Sequence, residues 1–188
     1  VLADSNINTL WIEQLGNDPL VDDVIVTAGN RDGFGAIDNL TVNAEGNVAL
    51  LANGANAGFI RNANVLTTGD DAAIIAYADA GIDGGAMTAQ QGAVHAYTNL
   101  AGADIVGLAV TARDLARMQA RLDGSIIGGS ATSTEGYVVL KADRTTTTDL
   151  TAGNILNVVV NAALGTSIVA GGEVIGTIAD VGSEDLLI

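Results

Sequence analysis

Short apolar runs, each stopped by glycine, asparagine or aspartate, constrain this chain more than any other feature. Val24-Ile25-Val26-Thr27 ends at Ala28-Gly29-Asn30, Leu40-Thr41-Val42 ends at Glu45-Gly46-Asn47, and Val48 to Leu51 ends at Asn53-Gly54. Ala73 to Tyr77, Tyr137 to Lys141, Ile155 to Val160 and Val174 to Ile178 are bracketed in the same way. Runs of this length, rich in β-branched residues and separated by turn formers, read as strands. Pro19 is the only proline, so glycine and asparagine must supply the turns through positive φ. The expected fold is mainly β, an antiparallel sandwich or barrel. Several runs are apolar at consecutive positions, which implies cover on both faces, part of it from a neighbouring subunit. Thr27-Ala28-Gly29-Asn30 recurs as Thr151-Ala152-Gly153-Asn154, but the surroundings do not repeat. With no fixed period, neither a propeller nor a regular β-helix is expected.

One helix is expected, over residues 112–123. Thr111-Ala112-Arg113-Asp114 resembles a capping box, with Asp114 near the positive end of the helix dipole. Leu115, Met118 and Leu122 follow at helical spacing on one apolar face, and Gly124 is placed to terminate it. Ile7 to Leu15 around Trp11 reads as a second short helix or an N-terminal arm. Ala52 to Asn64 reads as a long loop or a poorly patterned strand. The chain is taken as a single β-rich domain over 1–188, with a division into two lobes left open: an N-terminal β region with an N-terminal arm at 1–110, the helix at 111–124 and a C-terminal β region at 125–188.

Charge narrows the function. Seven Lys+Arg against 22 Asp+Glu leave a formal charge of -15, a field that repels phosphate and argues against nucleic-acid binding. Yet 48% of residues are hydrophobic, too many for an acidic disordered tail. That hydrophobicity comes from 31 alanines and 24 glycines far more than from aromatics, of which there are six. No run approaches the ~18 apolar residues of a membrane span, so no span is expected. Cysteine is absent, which removes disulfides, thiol nucleophiles and thiolate metal sites. The first residues show no basic and apolar leader; Val1 fits either a trimmed Met or a cleaved signal peptide.

Catalytic chemistry finds little to work with, and no enzymatic activity is expected. His95 is the only histidine and lies in an alternating stretch, the setting of a surface or structural residue. No HExxH, GxSxG, P-loop or GxGxxG pattern occurs. Calcium is the one cofactor the residues suggest. Asn30, Asp32 and Asp38 fall at positions 1, 3 and 9 of an EF-hand-like loop with Gly35 at position 6. Phe34 and Thr41 stand where further ligands belong, and those departures favour a plain glycine-rich turn. Arg113, Arg117 and Arg121 line one stripe of the expected helix, opposite its apolar face. They are read either as a solvated face or as a subunit interface that docks on an acidic surface, most simply that of an identical subunit.

The glycine-turn cadence of Leu150 to Val160 and Ile168 to Gly176 resembles the head-decoration (cement) proteins of tailed bacteriophages. This likeness of style over the last 40 residues or so implies a β-rich, symmetric oligomer on a capsid shell. The function expected from the whole is therefore a structural assembly protein. A capsid-decoration subunit of the virion comes first, with identical subunits and a major capsid or lattice protein as partners. An extracellular filament or S-layer subunit at the cell surface is the alternative. A Ca²⁺- or carbohydrate-binding β-sandwich module is a third reading, and an acidic chain poor in lysine also fits a salty habitat.

Overall fold

The computed structural model describes residues 1–14, 23–29, 35–54, 58–145, 152–176, 178–181 and 186–187. The fold is a parallel β-solenoid of about seven turns, and no helix occurs among the described residues. Two sheets form its walls. The nine-stranded sheet stacks Leu2–Ala3, Val24–Ala28, Val48–Ala52, Ile74–Ala78, Val94–Thr98, Leu115–Ala120, Tyr137–Ala142, Gly165–Ala170 and Leu186–Leu187 in that order. The fourteen-stranded sheet is built on Ile37–Ala44, which pairs with Ile7–Gln14 on one side. On its other side it pairs with Phe59–Arg61 through its first half and with Asn64–Thr67 through its second. From there each turn contributes one short and one longer segment, for example Gly81–Asp83 with Ala86–Ala89 and Ile105–Val106 with Ala109–Ala112.

The split has one local cause, repeated in every turn. Thr9, Asn39, Asn62, Gly84, Gly107, Gly128, Asn157 and Gly176 all have positive φ, between 51° and 67°. The pairings on either side place them in register as one column. A single left-handed residue redirects the strand without ending it, and glycine or asparagine takes that conformation at least cost. Asn62 donates from Nδ2 to Oδ1 of Asn39 at 3.3 Å, so the column carries a side-chain link as well.

Two positions before this column stands a second one. Ile7, Ile37, Ile60, Ile82, Ile105, Ile126 and Ile155 pair in succession, and each is at most 8% exposed. Burying each isoleucine is worth about 1.5–3 kcal/mol, so this ladder is a main source of cohesion. On the other wall Val26, Leu50, Ala76, Ala96, Met118, Leu140 and Ile168 form a buried column. Alanine and threonine fill a third: Ala28, Ala52, Ala78, Thr98, Ala120 and Ala142. These small residues precede the corners that lead to the isoleucines, so the chain turns beside a bulky side chain without overpacking. That placement explains a hydrophobic content supplied mainly by alanine. Gly136 shows how tight another corner is, since a Cβ there would overlap the Asp114 carbonyl oxygen.

Several sequence expectations are overturned. The sheets are parallel, so the antiparallel sandwich or barrel is incorrect. The turn residues make solenoid corners, and each run pairs with the run one turn later instead of its hairpin neighbour. The absence of a β-helix repeat is also corrected. An eight-residue unit, isoleucine, any residue, asparagine or glycine, two residues, an apolar residue, any residue and a small residue, recurs from Ile37 to Ala44, Ile82 to Ala89, Ile105 to Ala112 and Ile155 to Ala162. Its recurrence is about every 22 residues between Asn62 and Gly128, but the intervals from Thr9 to Asn39 and from Gly128 to Asn157 are longer. The helix at 112–123 is replaced by a bend at Arg113 and Asp114, the strand Leu115–Ala120 and a left-handed pair at Leu122 and Asp123. Ile7–Gln14 is a strand, not a helix; within Ala52 to Asn64, Phe59–Arg61 is a strand, in line with the strand alternative read there. Both sheets continue from the strands before residue 124 to those after it.

Candidate functional site on the nine-stranded sheet

The outward face of the nine-stranded sheet differs in chemistry from the rest of this acidic chain. No Asp or Glu occurs in any of its strands from Val24–Ala28 to Gly165–Ala170. Because side chains alternate across a strand, burying Val94, Ala96 and Thr98 turns His95 and Tyr97 outward. Burying Ala116, Met118 and Ala120 likewise turns Arg117 outward, with Gln119 on the same side. Register then lines up Ile75, His95, Arg117 and Val139 in one row and Tyr77, Tyr97, Gln119 and Lys141 in the next.

The rows interact. The rings of His95 and Tyr97 stack with centroids 5.9 Å apart at 16°, and the Tyr97 hydroxyl lies 3.0 Å from His95 Nδ1. The Arg117 guanidinium sits 5.5 Å from the Tyr97 ring centroid and donates from Nη2 to Gln119 Oε1 at 2.7 Å. Gln119 donates in turn to Asp143 Oδ2 at 3.4 Å, and Lys141 pairs with Asp143 at 3.0 Å. Arg117 Nε is buried and has no acceptor among the described residues. Desolvation, and secondarily the Arg117 charge, hold the His95 pKa below its ordinary value. Tyr77 is pushed above the usual phenol value, first by burial and then by Asp79. Tyr77, Tyr97, Gln119 and Arg121 line a depression of about 350 Å³, and Arg121 donates to Asn99 Oδ1 at 3.1 Å at its rim.

The three arginines read from the sequence thus lie along one rung, spread by their spacing instead of gathered on a helix stripe. Arg113 occupies the corner, where it bonds Gln91 at 2.8 Å and Asp114 at 2.8 Å and pairs with Asp71 at 3.2 Å. The acids around it raise its pKa, the Asp114 hydrogen bond most, with Asp71 and Glu135 adding to it, and the same bond lowers that of Asp114. Only Arg117 and Arg121 reach the tyrosine face. Tyr77, Tyr97 and Gln119 were missed in the sequence because their adjacency depends on register between distant runs. The outward placement of His95 and Tyr97 was legible from alternation alone.

The calcium reading is divided by the structure. Asn30 and Asp32 lie outside the described residues. Asp38 is in the strand Ile37–Ala44 and pairs with Arg61 at 3.1 Å, whose guanidinium lies 4.3 Å from the Phe59 ring centroid. Among the described residues no three His, Cys, Asp or Glu side chains converge as a metal site would need. Several acids and amides serve the backbone instead. Asp104 accepts from the Ser125 amide at 2.7 Å, Asn154 from the Glu173 amide at 2.7 Å and Asn47 from the Ala73 amide at 2.8 Å, each bridging successive turns. No family model, curated protein or solved structure matches the chain.

Proposed function

We propose that the chain is a non-enzymatic structural unit of an extracellular filament or lattice, a rod whose turns stack onto further turns supplied by identical subunits or a lattice protein. The observation that supports this reading is the outermost rung among the described residues, Ile7–Gln14. Among the described residues Ile7–Gln14 pairs on one side only, and its core-facing Leu10 and Ile12 are partly buried, whereas Leu40 and Val42 one turn later are fully covered. Trp11 in the same strand is 69% exposed, and Leu2 in the outermost described strand of the other sheet is 77% exposed. An open parallel edge with apolar side chains at core positions is a template for one more rung. Head-to-tail addition of that kind produces open filaments.

The test is sedimentation velocity across a concentration series, with negative-stain microscopy of the same samples. We expect rods that lengthen with concentration, and a monomer from Ile12→Lys, which places a charge on the open edge where a monomer leaves it in contact with water. A wild-type chain that stays monomeric at every concentration overturns the reading. A closed oligomer of fixed size points instead to the capsid-decoration form of an assembly protein.

A further inference from the structure

We propose that the outward face of the nine-stranded sheet, centred on Tyr97 and Arg117, binds an acidic polysaccharide, a polymer of ring sugars bearing carboxylates. In a chain of charge -15, the acid-free strand that carries Arg117, with Arg121 just beyond its end, forms a local positive surface. Such a surface attracts an anion despite the overall field, because interactions beyond about 8 Å are screened at physiological salt. Tyr77 and Tyr97 are in register on neighbouring strands, which lie about 4.8 Å apart, and together they offer an amphipathic platform of sugar-ring size.

The depression of about 350 Å³ beside them is bounded by Gln119 and Arg121, donors suited to ring hydroxyls and to a carboxylate. Arg117 adds a guanidinium beside the Tyr97 ring, held in place through Nη2 by Gln119, and a guanidinium is the side chain best matched to a planar carboxylate. The carboxylates that act on Tyr77 and Gln119 have other partners as well. Asp79 accepts from the Gly54 amide at 3.0 Å, and Asp143 pairs with Lys141. An extended polymer suits the site because the face runs along the stack, with one row of side chains per turn.

The probe is polygalacturonate, with dextran as the neutral control, in affinity electrophoresis and isothermal titration at 150 mM NaCl. We expect retardation by polygalacturonate and none by dextran. Arg117→Gln/Arg121→Gln and, separately, Tyr97→Ala should each weaken binding at least tenfold while the circular dichroism spectrum and Tm stay near wild type. No retardation of the wild type overturns the proposal, as does equal retardation of the folded variants. If these substitutions change only the sedimentation of the protein, the face is an interface between copies and the proposal also fails. Rod formation through the open edge is measured separately by Ile12→Lys, so either reading can fail alone.

Discussion

Thr9 is the only β-branched residue in the left-handed column, with φ at 56°, where its branched side chain crowds the backbone. Every later position in that column is Asn or Gly. Thr9→Asn should therefore stabilise the fold by about 1 kcal/mol, seen as a rise in Tm. Gly107→Val should cost about 1–3 kcal/mol for the same reason, although nothing but the Gly84 Cα lies within contact distance of a Cβ there. The contrast isolates backbone conformation from crowding. His95 makes a second residue-scale prediction. Its folded pKa is lowered, so between that value and the unfolded value near 6.5 the unfolded chain binds more protons. Stability then falls as pH drops below about 6.5 and is indifferent to His95 above it. Thermal melts of His95→Gln should show a smaller loss between pH 7 and pH 5 than wild type, and identical slopes would contradict the assignment.

At the scale of elements, the isoleucine ladder and the strand Leu115–Ala120 show what the sequence did and did not disclose. Ile105 is 1% exposed with Ile82 and Ile126 as its ladder partners, and Ile105→Ala should cost about 2–5 kcal/mol in urea denaturation. Strand positions were largely legible, because the apolar runs and their turn residues are local signals. The direction of pairing was not, because a run stopped by glycine looks the same before a hairpin and before a solenoid corner. The false helix arose from spacing. A separation of four, as from Arg113 to Arg117 to Arg121, keeps side chains on one face of a strand as well as of a helix. The discriminating pattern was Ala116-Arg117-Met118-Gln119-Ala120-Arg121, which alternates small or apolar with polar residues at a period of two. Met118 is fully buried as either fold requires, but Leu122 is 40% exposed and left-handed, outside any apolar stripe.

For the whole molecule, parallel stacking makes charge repeat along one axis. Twenty-two acids against seven Lys+Arg leave self-repulsion that salt screens, so Tm should rise with NaCl from low ionic strength, and a flat response would show that the charges are already locally compensated. The candidate face was the least legible feature, since the Tyr77–Tyr97 adjacency exists only once the register of the stack is fixed. That register is the claim on which the open edge, the left-handed column and the tyrosine face all depend. The chain has no cysteine, so engineered pairs report it directly. Thr88, Thr111 and Thr132 occupy one position in three successive strands, with neighbours about 4.8 Å apart and the outer two about 10 Å apart. Since disulfides need Cα atoms within about 7 Å, mild oxidation should link Thr88→Cys/Thr111→Cys and Thr111→Cys/Thr132→Cys but not Thr88→Cys/Thr132→Cys. Failure of both adjacent pairs, or equally fast closure of the outer pair, would contradict the parallel solenoid.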